Sequence, residues 1–130
     1  MGNTESARLP YMNANPDTIT MSGNSAGCFM AHQMQIIHSE TIKGVALYAC
    51  WPYATSIDSP HNGLTASEIA VNSIGTIDSR ASAGSIDDTS NLANNAVYVW
   101  SGLLDEVTLP EGQTAIDLVY ENYGVTKLHF

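Results

Sequence analysis

The pentapeptide Gly23-Asn24-Ser25-Ala26-Gly27 has the G-x-S-x-G spacing in which a serine hydroxyl can act as a nucleophile. Such a serine has to sit on a sharp turn between a strand and a helix, so that its Oγ stands clear of the sheet. The flanking residues supply both elements. Thr18-Ile19-Thr20-Met21 is a short β-branched run that Ser22-Gly23 stops. From Ala26 to His38 there is no proline and no glycine after Gly27, and Phe29, Met30, Met34 and Ile37 recur at helical spacing. Glycines at 23 and 27 are expected to remove side chains that would collide where strand and helix close on each other. Ser25 at the head of the helix also places the Ala26 amide, with the helix dipole behind it, where a developing oxyanion would be stabilised. The same five residues also describe an ordinary Gly-Ser turn. The strand before and the helix after them favour the catalytic reading.

A serine hydroxyl needs a base to take its proton and a carboxylate to orient that base. In enzymes built on such an elbow the acid and then the histidine follow the serine along the chain. Asp105 lies in the turn after the run Ala96-Val97-Tyr98-Val99-Trp100, with Glu106 as its immediate rival. The histidines fit less well. His32 and His38 lie on the helix after the serine and do not easily turn back to it, while His61 precedes the acid. His129 has the right order, but it falls inside a predicted strand and not in a loop beyond one.

These residues need a scaffold, and the rest of the chain reads as one. Lys43 to Cys50 is an almost continuous apolar run, suited to a strand covered on both faces and ended by Pro52. Thr55 to Asn95 is a polar excursion rich in Ser, Asp, Asn, Gly and Ala, with a weak helical patch at Ser67 to Ser73. Ala96 to Trp100 reads as a buried strand. A helix should follow Pro110 with Ile116, Leu118, Val119 and Tyr123 as its apolar positions, and Gly124 just past its end. Val125 to Phe130 reads as a further strand. The order β-α-β, excursion, β-α-β predicts an α/β fold with a mostly parallel sheet and flanking helices.

Composition narrows the function classes. The 130 residues, 44% of them hydrophobic and 13% charged, suffice for one domain with a real core. Four Lys and Arg against 13 Asp and Glu give a formal charge of −9, which excludes the basic stripe that nucleic acid requires and a polybasic membrane patch. No apolar run approaches the length of a transmembrane segment, and residues 1–10 hold no stretch like a signal peptide. The start Met-Gly-Asn-Thr-Glu-Ser matches the minimal myristoylation pattern at Gly2, although Glu5 makes chance the better explanation. Cys28 and Cys50 are too few for a disulfide framework, have no metal-ligand spacing, and are expected as two free buried thiols. The G-x-G-x-x-G of a dinucleotide site is absent.

Two blocks of the chain resemble the catalytic domain of poly(3-hydroxybutyrate) depolymerases. Leu9 to Tyr53 carries, in order, Leu-Pro, Asn-Pro before the strand, Ser-Gly-x-Ser-x-Gly, a Met-Ala helix start, Lys-Gly-Val and a terminal Pro-Tyr. Asn95 to Pro110 resembles the family's strand and turn with the triad aspartate, and the likeness is least clear over Thr55 to Arg80. The resemblance implies an α/β-hydrolase fold of the circularly permuted branch, a serine esterase mechanism with an acyl-enzyme, and no metal or organic cofactor. It implies an ester or polyester substrate, with Ser25 as nucleophile, Asp105 as triad acid and the Ala26 amide as an oxyanion donor. Three departures stand out. Cys28 replaces a second glycine after the elbow, which would narrow the acyl pocket. Ala49-Cys50-Trp51 replaces a glycine-rich segment, and the family's histidine, in a Gly-x-x-His-like loop, has no counterpart. Residues 1–130 are therefore expected to be a partial, C-terminally incomplete α/β-hydrolase domain that is weak or inactive alone. The alternatives are a feruloyl or acetyl esterase relative and a non-catalytic truncated homologue. Family members are often secreted, but the chain itself fixes no location.

Overall fold

The computed structural model describes residue 8, residues 10–55 and residues 63–129, the last three of these as backbone only. Four parallel strands, β1 (Thr20–Asn24), β2 (Gly44–Tyr48), β3 (Ala96–Trp100) and β4 (Lys127–His129), form one sheet in the order β1-β2-β3-β4. Helix α1 (Ala26–Ile37) joins β1 to β2, α2 (Ala66–Ser82) lies between β2 and β3, and α3 (Glu111–Asn122) joins β3 to β4. The expected α/β alternation is present, and apart from α2 the strand and helix positions fall within a few residues of those read from the sequence.

The three helices pack on the same face of the sheet. The Tyr120 hydroxyl of α3 donates to Gln35 Oε1 of α1 at 2.9 Å, and the Tyr123 hydroxyl just past α3 donates to Asp78 Oδ1 of α2 at 2.8 Å. Beneath them Val45 and Leu47 of β2 meet Val97 and Val99 of β3, with Ile36, Ile69, Ile77, Ile116 and Val119 from the helices. Each such side chain stabilises the fold by about 1.5–3 kcal/mol through removal from water. No helix among the described residues is long and apolar enough to cross a membrane.

The opposite face is open. Thr20, Ser22, Asn24, Ala96, Tyr98 and Trp100 are exposed, Trp100 by 48%, and Ala46 and Tyr48 are half-buried. Here the sequence expectation is corrected twice. β2 is covered on one face and not two among the described residues, and β3 is half-buried, with only Val97 and Val99 inside. Apolar composition made both strands look wholly interior, whereas Ala, Tyr and Trp at alternate positions sit equally well on a wet face.

The polar excursion also holds more structure than expected. Its weak patch at 67–73 is part of a helix of 17 residues, started by a capping box in which Thr65 and Glu68 satisfy each other's backbone N–H. Ile69, Ala70, Ser73 and Ile77 form its buried stripe, which packs toward α3. The Ser73 hydroxyl donates to the Tyr53 carbonyl at 2.8 Å, and Arg80 lies over the Tyr53 ring, so the excursion is fastened to the end of the β2 segment.

Candidate active site

Ser25 stands at the junction of β1 and α1 with φ 51 and ψ −121, a left-handed conformation that costs a non-glycine residue of order 1–3 kcal/mol. Its side chain makes no capping bond to the helix it precedes, and the residue is exposed, so the hydroxyl is free to react. Backbone bonds hold the turn on both sides. Ser25 N–H donates to the Tyr48 carbonyl at 3.0 Å, and Phe29 N–H donates to the Ser25 carbonyl at 3.1 Å.

Gly23 explains how the turn closes. A Cβ on Gly23 would lie 2.1 Å from the Gly27 oxygen and 2.6 Å from the Cys28 nitrogen, so only glycine admits the first turn of α1. Gly27 is a correction, because a Cβ built there meets nothing within 4 Å. The space that the pentapeptide requires is needed at its first glycine alone. Ala26 is the first helical residue, and its N–H is among the first-turn donors that a helix leaves unpaired. It lies beside Ser25 at the positive end of the helix dipole.

Ser25, Ala26, Phe29 and Thr55 line a pocket of about 300 Å³. Phe29 and Thr55 were not legible as site residues, since Phe29 reads as core periodicity and Thr55 as the start of a loop. Cys28 is not among the residues that line this pocket, and its side chain is fully buried. Nor is it a free thiol. Cys28 and Cys50 form a disulfide, with Cα atoms 5.7 Å apart. Cysteine counts could not foresee the pairing. It follows from β1 and β2 being neighbours, which brings the first turn of α1 beside the residues just past β2.

Asp105 sits in the turn after β3. Strands β1, β2 and β3 run parallel with Asn24, Tyr48 and Trp100 in register, so Asp105 and Ser25 emerge at the same end of the sheet. Its Oδ1 accepts from the backbone N–H of Val107 and of Thr108, both at 2.9 Å, and its Oδ2 accepts from the Thr108 hydroxyl at 2.6 Å. The Thr108 side chain, then the Thr108 and Val107 amides, hold this carboxyl below the usual range for aspartate. An ionised, fixed carboxylate is what an orienting acid needs. Glu106 is exposed to solvent.

The histidines remain apart from the serine where their side chains are described. His32 is buried without a hydrogen-bond partner on either ring nitrogen, stacked 5.3 Å from the Tyr120 ring, and burial lowers its pKa to about 4. His38 caps the far end of α1 and is exposed. His129 lies on β4 opposite Tyr98 in the backbone register, while His61 and the lipidation candidate Gly2 lie outside the described residues. No group of three or more His, Cys, Asp or Glu among the described residues is placed to hold a metal ion.

The comparisons with known proteins agree on one relationship. No protein-family profile matches the chain. The poly(3-hydroxybutyrate) depolymerase of Delftia acidovorans is 31% identical over 126 residues, covering 88% of this chain and 25% of that protein. The chain is a relative of the poly(3-hydroxybutyrate) depolymerases. A polyhydroxybutyrate depolymerase of Talaromyces funiculosus is 26% identical over 78% of the chain and 31% of its own length. Among solved structures, the depolymerase from Penicillium funiculosum superposes with a TM-score of 0.79 at 22% identity, over 95% of this chain and 40% of that one. A depolymerase variant complexed with an R3HB trimer gives 0.80 at 21% identity with the same coverage. The fold is therefore that of the depolymerases, an α/β-hydrolase. The chain spans about a quarter to a third of the length of its curated relatives.

Proposed function

We propose that this chain carries the nucleophile and the orienting acid of a serine carboxylic-ester hydrolase acting on polyhydroxybutyrate-type polyesters. The observation that carries the reading is the strained, uncapped Ser25 at the β1–α1 junction, beside an apolar pocket and at the same sheet end as Asp105. The depolymerase relatives, one of them complexed with an R3HB trimer, support the substrate class.

In the proposed reaction Ser25 Oγ attacks the ester carbonyl as a histidine takes its proton. The Ala26 N–H donates to the tetrahedral oxyanion in the Ser25 pocket, and Asp105 holds the imidazolium in orientation. The carbonyl–oxygen bond to the alcohol half breaks, and the histidine returns the proton to the departing alkoxide. Water, deprotonated by the same histidine, then releases the acid and restores the serine. Neither His32 nor His38, among the described side chains, is placed to be that base; with no counterpart of the family's histidine, the chain alone is expected to be weak or inactive.

The test is hydrolysis of p-nitrophenyl butyrate and of 3-hydroxybutyrate oligomers by the purified chain and its Ser25→Ala variant. Added imidazole, standing in for the base, is expected to raise the slow turnover of the chain and to leave that of Ser25→Ala unchanged. Equal rates in the two proteins with imidazole present overturn the serine mechanism. A preference for methyl ferulate or acetylated xylan over the butyrate esters overturns the polyester assignment.

A further inference from the structure

We infer that the Cys28–Cys50 disulfide is a positioning clamp for the nucleophile turn, an inference that rests on Ser25 being the nucleophile. The two cysteines, the one in the first turn of α1 and the other just past β2, are each other's partners. With the Ser25 amide they close a small ring. Ser25 N–H donates to the Tyr48 carbonyl, the chain runs on through Ala49 to Cys50, the disulfide crosses to Cys28, and Gly27 and Ala26 lead back to Ser25. Two non-glycine residues in that ring are left-handed, Ser25 at φ 51 and Ala49 at φ 56. Strained backbone of this kind persists only where the surroundings leave it no relaxed alternative.

Each half of the clamp has a different anchorage. Cys50 is at the better-fixed end. Ala49 N–H donates to the Trp100 carbonyl of β3 at 3.0 Å, Trp51 beside it is fully buried, and a Cβ on Gly112 of α3 would meet the Cys50 carbonyl at 2.5 Å. Cys28 is three residues from the nucleophile, in the first turn of α1, where a helix has no intrahelical bonds to its leading amides. The bond therefore ties a turn that would otherwise fray to a point held by β3 and α3. Both cysteines are buried, at 0% and 3% exposure, which suits a permanent restraint.

The test compares amide hydrogen exchange in the wild-type chain, in Cys28→Ala/Cys50→Ala, and in Cys28→Val/Cys50→Ala, which restores side-chain volume without the bond. Under native conditions the Ser25 amide should lose protection at least tenfold more than the Ile36 amide in both variants. Where Ser25-dependent ester hydrolysis is measurable, kcat should fall tenfold or more with KM unchanged. A uniform loss across Ser25 and Ile36, recovery of Ser25 protection in the valine variant, or failure of both variants to fold overturns the clamp. If no protein hydrolyses ester in a Ser25-dependent way even with imidazole supplied as the base, the ester-hydrolase reading fails while the exchange data still decide whether the bond positions the turn.

Discussion

Replacing Gly23 with alanine tests the closure of the β1–α1 turn at Ser25 directly. The new Cβ would lie 2.1 Å from the Gly27 oxygen, 2.2 Å from the Gly27 carbonyl carbon and 2.6 Å from the Cys28 nitrogen. All three are backbone atoms, so no side-chain rotation relieves the contact. Ordinary carbon contacts lie near 3.5–4.0 Å, so the last residues of β1 and the first turn of α1 must part by about 1 Å or more. Overpacking of that kind costs roughly 1–3 kcal/mol, and more where backbone has to move. For a chain of this size that is a fall in Tm of order 5–15 °C. Gly27→Ala is the matched control. Its Cβ meets nothing within 4 Å at a helical position, so alanine should stabilise by about 0.5–1 kcal/mol through helix propensity. Guanidinium unfolding of the two variants should thus move the midpoint in opposite directions. A Gly23→Ala protein as stable as wild type would refute the close approach of strand and helix.

His32 makes a pH prediction. Its imidazole titrates at about 4 when folded against an ordinary 6.5, so the unfolded chain binds the extra proton. Stability from this residue is complete above pH 6.5 and is lost as the pH falls toward 4, by about 3 kcal/mol at full effect. His32→Leu should flatten the difference in unfolding free energy between pH 7.5 and 4.5 by that amount, and an unchanged difference would refute the burial argument. At the acid, Thr108→Val removes the hydroxyl that donates to Asp105 Oδ2 at 2.6 Å. The carboxyl-carbon titration of Asp105, followed by NMR, should then move up toward the ordinary aspartate range. No movement would show that the two amides alone hold the charge.

The sequence carried the strand–turn–helix at Ser25 and the sheet because both are written in local pattern. A β-branched run, a G-x-S-x-G turn and a 3.6-residue period fall within twenty residues of one another, and each fixes its neighbour's reading. The region from 66 to 82 was harder. Its stripe of Ile69, Ala70, Ser73 and Ile77 mixes small and polar residues, Gly75 interrupts it, and hydrophobicity alone under-reports it. The Thr65–Glu68 capping box was the signal that would have marked its start. The disulfide, Thr55 and Thr108 were illegible for another reason, since each acts through a neighbour set by how strands pair or loops fold back. Tyr120 likewise reads as one more aromatic on α3 until its ring meets His32 and its hydroxyl meets Gln35.

The placement of Ser25 gives the fold an uneven task. Among the described residues β1 is an edge strand, with β2 as its one partner, and its side chains alternate between half-buried and exposed. An edge strand has ladder bonds on one side only, and its backbone is correspondingly easier to displace. Yet this strand ends at the proposed nucleophile, whose hydroxyl would need the tightest placement, since a 1 Å error in a reacting group costs on the order of a hundredfold in rate. Among the described residues the restraint comes from the β2 and α1 side. Each observed contact lies there: the Tyr48 carbonyl on the Ser25 amide, the Gly27 backbone against Gly23, and the cross-link from Cys28 to Cys50. All three tie the elbow to β2 or α1, and through Ala49 and Gly112 to β3 and α3. The precision of the serine is thus set by residues on its C-terminal side, and substitutions there should disturb it more than substitutions in residues 10–19.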